Sequence, residues 1–234
     1  MLRKIGGFGI LGGIARWVLR LCMVLALVLA GLIIAYRFVT PVSTLMLLQM
    51  VEQKKIDRIY VPLDRVSPHL IAALITSEDA HFCHDHGVDW GALREVIDQS
   101  GEDGPSRGAS TITMQVARNL FLWQSRSYIR KGLEIPLALL LDFAWPKRRI
   151  LEIYLNVAEW GHGIFGAEAA SETYFHKSVH DLTPAEAALL VGVLPDPHDR
   201  DPRHPDRALL YHARVVMRRL HYGRPALACL RREG

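Results

Sequence analysis

A single apolar stretch near the N-terminus constrains this chain more than any other feature of its sequence. Between Arg20 and Arg37 lie 16 uncharged residues, nearly all of them Leu, Val, Ala and Ile. A bilayer-spanning helix needs about 20 apolar residues, and residues 17–39 supply that length. The long side chains of Arg20 and Arg37 would then reach the two interfaces, where aromatic residues such as Trp17 are enriched. The sequence therefore predicts a transmembrane anchor over residues 17–39.

The distribution of charge predicts how this anchor is oriented. The formal net charge is +4, but residues 1–40 hold five of the 28 basic residues and no acidic residue. The other 194 residues therefore hold 23 basic and 24 acidic groups. Because four of the five N-terminal bases precede the apolar run, the positive-inside rule places residues 1–16 in the cytoplasm and the bulk of the chain outside. A cleaved signal peptide is the alternative, although the run is longer than a usual signal core and no A-x-A site follows it.

The composition limits the class of protein. Hydrophobic residues make up 50% of the chain and charged residues 22%, which excludes a disordered or collagen-like chain. Three cysteines do not make a disulfide scaffold. Cys22 lies inside the span, whereas Cys83 and Cys229 could pair in an oxidising compartment. Because the excess positive charge belongs to the N-terminus, the mild basicity of the chain does not indicate a nucleic-acid partner.

Beyond the anchor, residues 40–66 are interpreted as a connector, and the pattern from Ser67 onward is helical. Helix starts are predicted where a capping signal precedes apolar residues at helical spacing. They lie at Ser67, Asp89, Ser110, Ser127, Pro146, Thr183 and about residue 206. Pro136 is expected to kink the fourth of these helices. Because no strand pattern of any length appears, residues 67–234 are predicted to form a mainly α domain.

The segment SEDAHFCHDHG, residues 77–87, closes the first of these helices with a high density of titratable groups. A Glu at the end of a helix in an apolar wall has a raised pKa and suits general acid or base chemistry, so Glu78 is a candidate catalytic residue. A solvated helix end is the alternative. The nearby residues His81, His84 and His86 could suggest a metal site, but such histidines are more often surface residues, and we assign no metal.

Two further clusters lie downstream. In GASTITMQ, Gly108 allows close backbone approach, and Ser110 and Thr111 put hydroxyl and free N–H groups at a helix start, where anions bind; ordinary helix capping is the alternative. In RKGLE, Arg130 and Glu134 are spaced i,i+4, and a plain helix salt bridge is the alternative. Residues 118–149 contain only two acidic residues, Glu134 and Asp142. The same stretch contains seven basic residues: Arg118, Arg126, Arg130, Lys131, Lys147, Arg148 and Arg149. Such a cationic band suits a diphosphate.

In chain order, these clusters belong to a longer set of motifs. The segments EDAHF…HGVD, GASTITMQ, RKGLE, KRRILEIYLN and GIFGAEAASETYF follow one another. With these motifs the chain resembles the family 51 glycosyltransferases of peptidoglycan synthesis, over about residues 60–220. The resemblance implies a lysozyme-like, mainly helical fold with a larger head lobe and a smaller jaw lobe near the membrane. No S-x-x-K or K-T-G sequence is present, so no penicillin-binding transpeptidase module is expected.

The resemblance also implies a substrate and a role for each glutamate. The substrate is lipid II, a disaccharide-peptide on undecaprenyl diphosphate, and the product is a growing linear glycan chain. Glu78 matches the general base, which takes the proton from the acceptor 4-hydroxyl as its oxygen attacks the donor anomeric carbon with inversion. Glu134 matches a second catalytic glutamate near the departing diphosphate, acting directly or through a divalent cation, Mg²⁺ or Mn²⁺. No cofactor beyond that cation is implied.

Six further residues match motif positions implicated in substrate binding: Ser110, Thr111, Gln115, Arg118, Arg130 and Lys131. The chain departs from the family pattern at three positions. Arg118 stands where Lys is usual, which keeps the charge but changes its geometry. Asp85 stands where the family has His, so either His84 or His86 substitutes for it or the position is structural. Met114 stands where Gln is frequent, and the next residue, Gln115, still provides an amide side chain.

Two other functions are compatible with the sequence. A lytic transglycosylase or muramidase would share the lysozyme-like fold and a catalytic Glu but would cleave finished glycan, and it needs neither Glu134 nor the cationic band. A catalytically silent, membrane-anchored scaffold is the second, and the two intact glutamates argue against it. The expected location is the cell inner membrane with the domain in the periplasm, in contact with lipid II, glycan and other cell-wall synthesis or division proteins.

Overall fold

The computed structural model describes residues 7–99, 110–124, 127–223 and 225–231. Contacts divide the chain into two compact units, residues 1–40 and residues 41–234. In the first unit α1 (Gly7–Tyr36) is one continuous helix, and its Gly13–Tyr36 part is long and apolar enough to cross a membrane. The helix contains most of the predicted span 17–39 and ends just before a turn.

The second unit is built mainly from helices. In chain order they are α2 (Thr44–Val51), α3 (Pro68–Glu78), α4 (Trp90–Gln99), α5 (Ile112–Phe121), α6 (Tyr128–Ala144), α7 (Lys147–Val157), α8 (Ala167–Phe175), α9 (Pro184–Val191) and α10 (Arg207–Tyr222). One small sheet accompanies them, with β1 (Asp57–Arg58), β2 (Glu159–Gly161) and β3 (Ile164–Phe165). The central strand β3 runs parallel to β1 and antiparallel to β2. The prediction of a mainly α domain is confirmed, and strands of two or three residues are too short to leave a periodic pattern.

Most helices begin where the sequence predicts, and several of the predicted capping residues form the expected hydrogen bonds. Ser67, Asp89 and Thr183 each accept a bond from a backbone N–H in the first turn of the following helix. Helix α5 is different: Thr111 rather than Ser110 accepts the bond, from the Met114 N–H at 3.1 Å. The Ser110 hydroxyl is thereby left for another partner.

Residues 41–66 of the predicted connector 40–66 are packed into the second unit. Its helix α2, which the sequence did not indicate, is held by the Thr44 hydroxyl, which donates to the Leu122 carbonyl at 2.6 Å. The extended stretch that follows is held by Asn156 of α7, whose side-chain amide accepts from the Val61 N–H and donates to the Val61 carbonyl, both at 2.8 Å. These partners lie 78 and 95 positions apart, so no local pattern predicts them.

Two helix packings form the core and set the position of the site. Helix α5 packs against α6 and α7, and α3 packs against α9 and α10. Side chains such as Leu74, Ile112 and Leu151 are fully buried in these contacts. Each stabilises the fold by about 1.5–3 kcal/mol relative to an exposed side chain. The C-terminal end of α3 is therefore held firmly beside the start of α5.

The loop after α3 lies directly on α6. Gly87 has a φ of +85°, which favours glycine, and a Cβ there would lie 2.6 Å from the Ala138 carbonyl oxygen. Helix α6 continues through Pro136. Its two faces differ, since Leu141 is fully buried and Phe143 is 92% exposed. The HGVD motif is thus fixed against the helix that carries RKGLE.

Candidate active site

Three helices bring polar side chains together at the C-terminal end of α3. Glu78 ends that helix, and its Oε2 accepts a hydrogen bond from the Gln115 amide of α5 at 3.2 Å. The Gln115 carbonyl oxygen accepts in turn from the Tyr154 hydroxyl of α7 at 3.1 Å. On the other side, the Ser77 hydroxyl donates to Glu78 Oε1 at 3.1 Å. The motifs EDAHF, GASTITMQ and KRRILEIYLN therefore converge on one carboxylate.

The surroundings of Glu78 suit a general base. The side chain lines an open cleft yet is largely enclosed by protein. Burial raises the pKa of Glu78, and the hydrogen bonds from Gln115 and Ser77, together with the charge of Arg118, offset part of that rise. A carboxylate with a raised pKa is a better proton acceptor near neutral pH. This environment differs from a solvated helix end, the alternative interpretation of the segment.

Asp79, next to Glu78, ties the first motif to the second. It is buried, and its Oδ2 accepts a hydrogen bond from the Ile112 N–H at the start of α5 at 2.9 Å. Burial raises the pKa of Asp79 to about 8, and the adjacent Asp85 carboxylate adds to the rise. A second link comes from the Thr111 hydroxyl, which donates to a backbone carbonyl of the HGVD loop at 2.7 Å. Glu78 and helix α5 are thereby held in a fixed relation.

Asp85, which stands where the family pattern has His, makes a buried ion pair. Its carboxylate contacts Lys147 at the start of α7, and its side chain is only 2% exposed. Lys147 Nζ also lies 2.8 Å from the Asp142 carboxylate of α6. His84 and His86 are exposed. Asp85 thus anchors the loop to α6 and α7, and His86 Nδ1 lies 3.8 Å from the Asp142 carboxylate of the same cluster.

The RKGLE motif forms a buried charge cluster rather than a surface salt bridge. Glu134 is 1% exposed and contacts Arg130 through one carboxylate oxygen and Lys131 Nζ, at 3.0 Å, through the other. Lys131 also contacts the Ser110 hydroxyl. Burial lowers the pKa of Lys131 to about 8, and the neighbouring cations Arg118 and Arg130 contribute. The cluster thus brings two cations to the start of α5.

Two cavities flank the Glu78–Gln115 contact. One, of about 350 Å³, is lined by Glu78 and Ser110, and the other, of about 210 Å³, by Gln115 and Arg118. The Nε of Arg118 is buried and has no hydrogen-bond partner among the described residues. A buried cationic donor without a partner is costly, and an anionic ligand would supply one.

A metal fits this site poorly. In the part of the chain that the structure describes, no group of three or more His, Cys, Asp or Glu side chains could hold a metal ion. Both carboxylate oxygens of Glu134, the residue expected near a cation, already contact Arg130 and Lys131. A divalent cation there would have to displace Lys131 or arrive with an anionic ligand.

The two predicted catalytic glutamates and the six predicted substrate-binding residues are all described, and most of them fall into two neighbouring groups. Gln115 and Arg118 lie beside Glu78, whereas Ser110, Arg130 and Lys131 surround Glu134. Thr111 differs, because it is 2% exposed and its hydroxyl is engaged as the cap of α5 and in the bond to the HGVD loop. Gly108 and Arg126 lie outside the described residues.

Several residues that build the site were not predicted. Ser77, Asp79 and Tyr154 lie inside the motifs, where nothing local distinguishes them from neighbouring polar residues. Lys147 belongs to the cationic band that the sequence predicts for a diphosphate, but the structure pairs it with the carboxylates of Asp85 and Asp142 instead. A His in the basic amphipathic helix α10, His212, reaches Ser77 at 3.1 Å, and no sequence signal marks it.

Cys83 and Cys229, whose pairing the sequence leaves open, form a disulfide. Their Cα atoms lie 5.4 Å apart, and the two residues are separated by 146 positions. The bond ties the loop after α3 to the C-terminal segment. Cys22, in α1, is free.

A mainly helical fold that presents a largely enclosed glutamate at a cleft, near a buried cluster of charges, is the arrangement of a lysozyme-like glycosyltransferase. A transglycosylase family model matches residues 45–221, and the chain belongs to that family. It is 47% identical to the biosynthetic peptidoglycan transglycosylase of Brucella suis over 215 residues, which cover 91% of this chain and 96% of that protein. The proteins of the same name from Rhodospirillum centenum and Agrobacterium fabrum are 47% and 46% identical, over 90% and 84% of this chain and 89% and 87% of their own lengths.

Proposed function

We propose that this protein polymerises lipid II into linear glycan strands for the cell wall and releases undecaprenyl diphosphate. The observation that carries the proposal is that Glu78 and Ser110 line one cleft, and that Ser110 contacts Lys131, which pairs with the buried Glu134. Transfer of a sugar to a hydroxyl benefits from a base, and a diphosphate leaving group needs positive charge. The name of the relatives, biosynthetic peptidoglycan transglycosylase, agrees with this chemistry.

Glu78 is the general base of the proposed reaction. It takes the proton from the 4-hydroxyl of the acceptor sugar while that oxygen forms a bond to the donor anomeric carbon. The bond from the anomeric carbon to the diphosphate oxygen breaks on the opposite face, so the configuration inverts and the electron pair leaves with the lipid diphosphate. The donors Gln115 and Ser77 hold the carboxylate in the orientation that this proton transfer requires.

The diphosphate is proposed to bind the cations Arg118, Arg130 and Lys131. Positive charge in a partly buried site stabilises a developing anion more strongly than charge in water. Glu134 is assigned to the leaving-group side, where its contacts hold Arg130 and Lys131 in place. Because both oxygens of Glu134 are engaged, a divalent cation, Mg²⁺ or Mn²⁺, would be held only if it arrived with the diphosphate, and no step of the proposed reaction depends on it. The Ser110 hydroxyl accepts from Lys131 and can still donate to the diphosphate.

The proposed location is the inner membrane, with the N-terminus in the cytoplasm and the catalytic unit in the periplasm. The support is α1, which is long and apolar enough to span a bilayer, and the basic residues that precede it. The Cys83–Cys229 disulfide also suits an oxidising compartment. An anchored enzyme would meet a polyprenyl substrate in the same bilayer. Other cell-wall synthesis or division proteins are proposed as partners.

The direct test is incubation of the full-length protein, purified in detergent, with lipid II. Polymeric glycan that a muramidase digests to disaccharide units is the expected product. Finished peptidoglycan should be left intact. Release of anhydro-muropeptides from finished peptidoglycan, without polymerisation of lipid II, would instead assign a lytic activity, and no product from either substrate would favour a scaffold.

A further inference from the structure

His212 lies outside every motif that carries the family resemblance, yet its side chain contacts Ser77, one of the residues that donate a hydrogen bond to Glu78. Its Nε2 is 3.1 Å from the Ser77 hydroxyl oxygen, although the two residues are 135 positions apart. Ser77 in turn donates to Glu78 Oε1 at 3.1 Å. We propose that His212 is a positioning residue for the general base and acts on Glu78 through Ser77. The inference rests on the proposed function, in which Glu78 is that base.

The chemistry of the three groups fixes the direction of the hydrogen bonds. An ionised carboxylate only accepts, and a serine hydroxyl has a single proton to donate. When Glu78 is ionised, the Ser77 proton therefore points to Oε1, and His212 must donate to Ser77 from a protonated Nε2. The result is a two-step chain of donors that ends on the catalytic carboxylate. The hydrogen bonds in such a chain polarise one another, so together they can stabilise the carboxylate more than the separate bonds would.

This chain is the counterpart of a second one on the opposite carboxylate oxygen. Tyr154 donates to Gln115, and Gln115 donates to Glu78 Oε2. Each oxygen thus has one bond from a residue that is itself held by a further residue. The carboxylate is fixed in its plane from both sides, and each oxygen keeps acceptor capacity for the proton of the substrate hydroxyl.

The surroundings of His212 favour a neutral ring, and the donor role then selects the tautomer that carries its proton on Nε2. The ring is half-buried, and burial lowers the pKa of His212, with further contributions from the cations Arg200 and Arg219. Arg200 precedes α10 in the chain, and Arg219 lies on α10 itself. At the other end of this chain of hydrogen bonds, the charge of Arg118 lowers the pKa of Glu78. A neutral imidazole has one N–H, and its position is set by its partner.

The test is a set of variants in the lipid II polymerisation assay, with kcat and KM measured across pH. His212→Leu removes the donor, His212→Gln keeps an amide donor at a similar reach, and Ser77→Ala removes the link. His221→Ala, on the last turn of the same helix, is the matched control. Thermal unfolding of each variant checks that the fold is intact, and the Ser77→Ala and His212→Gln pair still decides the question if His212→Leu does not fold.

We expect Ser77→Ala to lower kcat about tenfold, the loss typical of a hydrogen bond to a charged group. His212→Leu should lower it by a similar factor, because Ser77 then loses the partner that orients its proton towards Glu78. The double variant should be no slower than either single variant, because both remove the same chain. The acid limb of kcat/KM should move to higher pH, since the ionised form of Glu78 loses a donor. His212→Gln should recover most of the rate, and His221→Ala should match the wild type.

Three results would overturn the inference. They are a wild-type rate for His212→Leu, a double variant whose loss is the product of the single losses, and an acid limb that stays in place while kcat falls. In each case polymerisation by the wild-type protein keeps the proposed function intact. Absence of polymerisation by the wild type would instead overturn the proposed function, and the role of His212 with it.

Discussion

The Gln115 side chain donates a hydrogen bond to the Glu78 carboxylate at 3.2 Å, across 37 positions of sequence. Met114, which stands where the family often has Gln, points into the core and is fully buried. Successive residues of a helix point in different directions, so the amide of Gln115 is the one that faces Glu78. The departure at Met114 therefore leaves the hydrogen bond to Glu78 in place.

Replacing Gln115 with Leu should slow lipid II polymerisation about tenfold, because the carboxylate loses a donor that orients it. The pH dependence gives a sharper readout. The base must be ionised, so activity is lost as the pH falls through the pKa of Glu78. Since the Gln115 bond lowers that pKa, the variant should lose activity at higher pH than the wild type. The measurement is kcat/KM against pH, and identical acid limbs would contradict the assigned contact.

The stability of the folded unit should fall as the pH rises towards 8, because of Asp79. Its pKa is raised from 3.8 to about 8, so the folded protein keeps a proton that the unfolded chain releases. The stabilisation is complete below about pH 4 and is lost as the pH rises through about 8. We expect the thermal midpoint of Asp79→Asn to depend less on pH in this window. Asp181→Asn, an exposed control, should keep the wild-type dependence.

Glu134→Gln should destabilise the protein by about 3 kcal/mol, because it leaves Arg130 and Lys131 without their buried counter-charge. Polymerisation should also fall, since the two cations lose the group that orients them. The control is Glu52→Gln, which breaks an exposed ion pair with Lys54 and should cost at most about 1 kcal/mol. Denaturant unfolding of the two variants makes the comparison, and equal losses would contradict a structural role for the buried cluster.

Loss of the Cys83–Cys229 disulfide should lower the free energy of unfolding by about 2–5 kcal/mol, since the bond closes a long loop. The double variant Cys83→Ser/Cys229→Ser should have a lower thermal midpoint than the oxidised wild type. Reductant should bring the wild type down to the same value and leave the variant unchanged. A wild-type midpoint that reductant does not alter would show that the bond is absent or contributes nothing.

The helices and the two charged clusters could be predicted from the sequence because both depend on local signals. Ser67, Asp89 and Thr183 cap helices through bonds to the next few residues. Glu78 and Glu134 stand out because ordered motifs mark them. These motifs also predicted the fold class and the family, which the transglycosylase match confirms.

The remaining features depend on partners far away in the chain. Helix α2 is stabilised by a bond from Thr44 to the end of α5, and the segment around it reads as a connector when taken alone. The buried pair of Asp85 with Lys147 spans 62 positions, so the sequence could not decide between a structural Asp and a substituting His. His212 meets Ser77 only because α10 packs against α3.

The central claim is that Glu78 is the base of a lipid II polymerase, and Glu78→Gln tests it most directly. The variant keeps the shape of the side chain but cannot accept the proton. We predict that it loses polymerisation by at least about a hundredfold while its thermal midpoint stays at or above that of the wild type, because a buried carboxylate becomes neutral. Glu172→Gln, on the exposed side of α8, should polymerise normally. Polymerisation at the wild-type rate by the folded Glu78→Gln protein would contradict the claim.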